Sequence, residues 1–151
     1  MNNGNITNIT SEEKLLAMLS HLSMLFGGII LPIILWAVQK DKSNYVRFHS
    51  LQAIFFHIAY LLMVIIITMV IVLLSIASGL GITFFATRNQ DPGDMSAILI
   101  ITMAISIGLI FLVIFGMIGY SIYLAIKAYG GYYIEIPIIG KRVYKKIFNT
   151  L

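Results

Sequence analysis

Apolar and polar positions along this chain fall into blocks much longer than any helical or strand period. Residues 15–38, 51–86 and about 95–126 form three apolar runs, and the second continues for 36 residues without a charge. Runs of roughly 18 or more apolar residues read as transmembrane helices. The first run carries Gly27, Gly28 and Pro32 near its middle. Glycine weakens a helix and proline removes a backbone donor. The break predicts one of two structures. The run is a single kinked span, or it is two helices of about 12–14 and 10–11 residues folded as a re-entrant hairpin, each too short to cross about 30 Å alone. At 1.5 Å per residue the second run is about 54 Å long, so it must tilt, project or bend. Ser78-Gly79-Leu80-Gly81 is the expected bend or end.

The polar blocks supply the boundaries. Residues 1–11 form a polar tail, and "TSEE" places Thr10 and Glu13 at capping-box spacing. Residues 39–50 form a short basic link, and residues 87–94 a turn-rich loop around Asp91-Pro92-Gly93-Asp94. Residues 128–151 form a basic, aromatic tail in which Pro137 and Gly140 act as breakers. Beyond them Lys141, Arg142, Lys145 and Lys146 share one half of a helical wheel, and Val143, Tyr144, Ile147 and Phe148 share the other. That pattern predicts an amphipathic helix lying on an anionic leaflet. The expected fold is an all-α integral membrane protein. Its domain, residues 12–127, is a compact bundle of three transmembrane segments, the first broken or re-entrant, followed by a C-terminal amphipathic interfacial helix. No internal repeat is visible.

Composition agrees with the pattern. Of 151 residues, 60% are hydrophobic and only 11% charged, against about 25% charged in an average soluble domain; the mean hydropathy is +0.97. With no cysteine, disulfides, thiolate metal sites and thiol nucleophiles are excluded. "MNNGNITNIT" lacks a basic n-region and a cleavage site, so the first apolar run is expected to serve as its own insertion signal. Lys40, Lys42 and Arg47 lie in the first link, and Lys127 and four further cations in the tail. The positive-inside rule puts both in the cytoplasm of a multi-pass protein and the Asp91/Asp94 loop outside. The N-terminus is outside for three spans and inside for a re-entrant first segment. Asn5 and Asn8 are glycosylation sequons that matter only if they are outside.

Candidate chemistry is sparse. Trp36, Tyr45, Arg47 and His49 sit where cytoplasmic headgroups are expected and read as interfacial anchors, together with Lys141, Arg142, Lys145 and Lys146. His57 lies two turns deeper. His49, Ala53 and His57 share one helix face, with Gln52 close by, and such a stripe should face other helices. Ser20, His21 and Ser23 on the first run are its expected partners, completing a polar cluster with Gln52 and His57. No acidic residue occurs between Lys42 and Asp91 or between Asp94 and Glu135, so a pair of intramembrane carboxylates is excluded. Neither a zinc-protease motif, a supported Ser/His/Asp set nor a phosphate loop is present. No enzyme activity, cofactor, metal or nucleic-acid partner is expected. Ser75-xxx-Gly79 and Ala104-xxx-Gly108, with Gly116 and Gly119, are small-residue spacings that suit helix packing.

The combination of His21-Leu22, the Gly27–Pro32 break, Trp36, Lys40-Asp41, His49, Gln52-Ala53 and the closing Lys127-Ala128, Gly131 and Pro137 resembles a family of small prokaryotic membrane proteins of unknown function. That family is similar to the twenty-kilodalton component of the chloroplast inner-envelope protein translocon and includes magnetosome membrane proteins. The resemblance implies a helical domain of three or four membrane segments and no known catalysis. The expected function is a scaffold or interaction component of a membrane complex, related to translocation or assembly. Its expected partners are the anionic cytoplasmic leaflet and a second copy or another membrane protein. The alternative is an oligomeric channel or transporter-like unit with a histidine-lined path. A mineral-nucleating role ranks below both, because the outer loop offers only two acids.

Overall fold

The computed structural model describes residues 9–26, 28–86 and 92–148. The N-terminal sequons, Gly27, residues 87–91 and the last three residues lie outside that set, and Pro92, Gly93 and Asp94, expected in a loop, are helical. Among the described residues the chain is all-helical, with no strand: α1 Ser11–Phe26, α2 Ile30–Gln39, α3 Asn44–Ala86, α4 Pro92–Tyr129 and α5 Ile139–Phe148.

The helix ends follow local chemistry. Glu13 Oε2 accepts the Thr10 N–H at 2.8 Å, and Thr10 Oγ1 accepts the Glu13 N–H at 3.2 Å, which is the reciprocal capping box read from the sequence. Hydrogen bonding to Ser43 and Thr10 holds the Glu13 carboxyl below its ordinary value, against a smaller opposing effect of burial. At the other end of α1, Gly28 adopts a positive φ of 54° and its N–H reaches back to Ser23 O at 2.7 Å. This is a left-handed terminating turn that favours glycine. Pro32 then falls in the first turn of α2, where its missing N–H costs nothing. The first apolar run is therefore two helices, about 24 and 15 Å long, neither able to cross a bilayer core. They contact one another.

Ser43 caps α3, its hydroxyl accepting the Val46 N–H at 3.2 Å. Helix α3 therefore begins at Asn44 rather than near residue 51, and Tyr45, Arg47 and His49 are helical instead of belonging to a link. It also runs unbroken through Ser78–Gly81, correcting the expected stop there; its 43 residues reach about 64 Å. Among the described residues only α3 and α4 are long and apolar enough to cross a membrane, and their most apolar windows are not buried by protein. Helix α4 ends in a left-handed turn at Gly131, φ 85°, with the Tyr132 N–H bonded to Lys127 O at 3.2 Å.

The chain forms two compact units. Leu61–Gly116 is one, and Met1–Tyr60 with Met117–Leu151 is the other. In the first, Val64, Ile67 and Thr68 of α3 and Ile110, Val113 and Ile114 of α4 border one narrow gap. Most of its other large apolar side chains are exposed, Leu73 at 63% and Leu112 at 70%. Ser75 and Ser106 bond carbonyls of their own helices at 2.8 Å, as a hydroxyl in hydrocarbon must. Added methyl groups at Gly108, Gly116 or Gly119 would meet nothing within 4 Å, so among the described residues no close helix contact uses these positions.

The second unit holds the core. Phe48 and Leu51 of α3 pack with Val143 and Ile147 of α5, flanked by Trp36, Ile54 and Phe148. The apolar side of α5, which the sequence directs toward lipid, is thus turned onto α3. Phe48 is fully enclosed, and burying its ring there recovers aromatic contacts with Tyr144 and Phe148. Leu124 of α4 and Ile136 of the tail pack on Phe56. Gly140 is required at the tail turn, because a Cβ would lie 2.5 Å from Glu135 Cα. Gly140→Ala should therefore destabilise the protein by about 1–3 kcal/mol through overpacking against backbone, seen as a lowered melting temperature in detergent with Gly108→Ala as the neutral control.

Candidate functional site

The polar residues of the second unit meet in one buried node at the start of α3. Ser20 of α1 and Ser50 of α3 share a hydrogen bond of 2.8 Å, and His21 Nε2 lies 3.1 Å from His49 Nδ1. All four are buried, at 2% exposure or less. The two imidazoles form a bond only when one ring donates and the other accepts, so the pair cannot be doubly protonated and keep it. The Ser121 hydroxyl of α4 donates to His21 O at 2.5 Å, and Ser23 donates to Ser20 O at 2.7 Å. Three helices are thus tied through α1.

Gln52 does something different. Its Nε2 donates to Ile134 O at 3.0 Å, and its Oε1 accepts the Ile136 N–H at 2.7 Å. The tail at 132–136 has no regular secondary structure, so these backbone groups have no ladder partner, and the amide acts as a two-pronged substitute for one. Tyr45 adds a second fastening, its hydroxyl donating to Ala128 O. Tyr133 stacks on His49 with ring centroids 6.3 Å apart and meets Tyr45 edge-on at 4.9 Å. Burial, then Tyr144 and Glu13, push the Tyr133 phenol up to about 12, so it stays neutral at physiological pH.

The structure brings together Ser20, His21, Ser23 and Gln52 as buried residues of one unit, but His57 bonds only within its own helix, Nδ1 to Ala53 O at 2.6 Å. Tyr45 and His49, placed among the membrane-surface anchors by sequence, are buried inside the protein at 2% and 1% exposure. Their side chains are held by protein partners, which removes them from the headgroup layer. Arg47 and Trp36 are half-buried, and Lys141, Arg142, Lys145 and Lys146 are exposed. Ser50, Ser121 and Tyr133 belong to the node although sequence reasoning did not single them out. Ser121 was detectable: with Leu124, Ala125 and Ala128 it forms an i, i+3, i+4, i+7 stripe, and all four are buried. Among the described residues no group of three metal-ligating side chains is close enough to hold an ion.

Two long apolar helices with lipid-ready surfaces, and a helical unit with a polar core, define a membrane protein. More particularly, residues 12–143 match the Magnetosome magnetite crystal formation protein family, and the chain belongs to that family. No curated protein and no solved structure matches it. The similarity to the chloroplast translocon component has no counterpart in these comparisons.

Gln52→Leu should orphan Ile134 O and the Ile136 N–H, costing about 2–4 kcal/mol, and should speed tryptic cleavage at Lys141 and Arg142 in limited proteolysis. A double-mutant cycle of Ser20→Ala and Ser50→Ala should return a coupling of about 1 kcal/mol in thermal unfolding, because the two hydroxyls share one buried bond.

Proposed function

We propose that this chain is a multi-pass integral membrane protein acting as a non-enzymatic scaffold in the membrane assembly where magnetite crystals form. The observation that carries the reading is the use made of its polar side chains. Ser20, His21, Ser50, Gln52 and Ser121 are committed to tying helix ends and tail together. Lys40, Lys42, Lys141, Arg142, Lys145 and Lys146 face outward. Such a surface holds partners and anionic lipid rather than transforming a substrate. The family name directs this reading toward crystal formation and away from translocation. With only six acidic residues, the chain contributes there by organising the membrane and its partners, not by templating mineral.

Two spans, α3 and α4, would return the chain to the side it left. That the two ends, residues 1–60 and 117–151, form one compact unit supports this arrangement. The cations of the first link and of α5 then favour the cytoplasmic side, with α1 and α2 on that face of the bilayer. A second reading, a histidine-lined path, draws on the buried ring nitrogens His21 Nδ1 and His57 Nε2, which have no hydrogen-bond partner among the described residues.

Single cysteines at Asn5, Lys42, Asn89 and Asn149 in this cysteine-free chain, probed on intact cells with an impermeant thiol reagent, should label at 89 alone. Labelling at 5 as well would mean three spans, and labelling at 42 or 149 would reverse the orientation. On native gels of solubilised membranes the chain should migrate in a larger assembly, and Gln52→Leu should stay in the membrane yet leave that assembly. In proteoliposomes His57→Leu should change no pH-dependent flux; a flux that this variant abolishes would replace the scaffold with the path.

A further inference from the structure

A groove of about 200 Å³ runs between α3 and α5, lined by Phe55, Ile138, Ile139, Arg142, Val143 and Lys146. Its floor is apolar, and its two charged residues stand at i and i+4 on α5, so their side chains emerge one above the other. Both are exposed, and among the described residues neither has an ion-pair partner. Phe55 is 41% exposed and belongs to α3, inside the segment apolar enough to cross the bilayer. The groove therefore joins a hydrocarbon-facing surface to a pair of cations.

Ile138 gives a second, independent indication. It is 81% exposed and holds a φ of 71°, a backbone conformation that a β-branched residue rarely adopts. The Ile139 N–H to Pro137 O bond at 2.8 Å and the Gly140 N–H to Ile136 O bond at 2.7 Å close the turn around it. Backbone strain of this kind persists when the surroundings over-determine it and clusters at functional positions. Here its result is an isoleucine held out at the rim of the groove, a poor place for it in water and a suitable one beside an acyl chain.

We infer that this groove binds one anionic phospholipid of the surrounding leaflet, with part of an acyl chain against Phe55, Ile138 and Ile139 and the phosphate held by Arg142 and Lys146. The planar guanidinium offers paired donors to the phosphate oxygens, and the ammonium adds a point charge one turn away. A free phosphate would satisfy the cations but leave the apolar floor uncovered. A zwitterionic lipid would cover the floor but bring its own cation beside two others. The inference deepens the scaffold proposal and rests on its orientation, because it gives the basic helix a defined lipid partner in place of diffuse attraction to a charged surface.

The test uses the full chain purified in mild detergent, mixed with phosphatidylglycerol or phosphatidylcholine, and native mass spectrometry to count retained lipids. The intact protein should keep one phosphatidylglycerol in preference to phosphatidylcholine. R142Q/K146Q should lose that preference by about tenfold, while the charge-matched pair K141Q/K145Q, on the same helix but outside the groove, should change it less than about twofold. Phe55→Ala should weaken retention of both lipids and leave the headgroup preference intact. Inorganic phosphate at millimolar concentration should not displace the bound lipid; displacement would show that the cations alone are the site and would overturn the groove. Equal losses from the two charge-matched pairs would overturn the groove and leave the basic leaflet contact standing. No loss from either pair would overturn both.

Discussion

The tail at residues 132–136 crosses the unit without regular secondary structure, and its backbone donors and acceptors are away from any strand that could pair with them. A buried, unpaired peptide group costs as much as a lost hydrogen bond or more. Gln52 removes that cost with one side chain, accepting from Ile136 and donating to Ile134. Everything beyond depends on this fastening. Ile136 reaches Phe56 and Leu124, the turn at Pro137–Gly140 closes, and α5 lies with Val143 and Ile147 against Phe48 and Leu51. Without it the approach to α5 would carry two unpaired backbone groups, and the packing of α5 beside Phe55 would be weakened.

The remaining polar groups follow the same logic at the helix ends. Serine and histidine side chains in a mostly apolar unit must find partners within the protein, and here they find them across helices, Ser20 with Ser50 and His21 with His49. Each pair fixes the register of α1 on α3, a role for which apolar packing alone is less selective. The outer surface divides by solvent. The exposed apolar side chains of α3 from Leu61 to Leu80 and of α4 from Leu99 to Phe115 suit lipid, and the cations of the other unit suit water and headgroups. That division of surfaces is what the proposed scaffold role would use. This fits a scaffold within a family named for magnetite crystal formation.

Several features were readable before any coordinates. The Thr10–Glu13 capping box is purely local, decided by two side chains three residues apart, and the structure contains it. The break near Gly28 was legible because glycine is the residue that most readily accommodates the left-handed turn there. Ser20, His21, Ser23 and Gln52 stood out as polar residues in apolar runs, and all are buried. Tyr45 and His49 misled, because an aromatic or a histidine beside a basic residue looks the same whether it faces headgroups or a protein core. Of the bend or end expected at Ser78–Gly81, the end is absent for a related reason: glycine lowers helix propensity, but in an apolar solvent an unbroken helix is the way to satisfy every backbone group.

The sequence by itself determined the solvent and the elements. Long uncharged runs call for lipid, and caps and glycines set the helix ends, because each of these is decided by neighbours along the chain. Tertiary structure decided the partners. That Gln52 clasps residues 82 and 84 positions away, that His21 meets His49, and that α5 turns its apolar side to Phe48 rather than to the bilayer are matters of which buried groups come within hydrogen-bond or van der Waals reach. Such distances exist only once the chain has folded back on itself, since a side chain's hydropathy and hydrogen-bonding capacity specify what kind of partner it needs and not which one it meets.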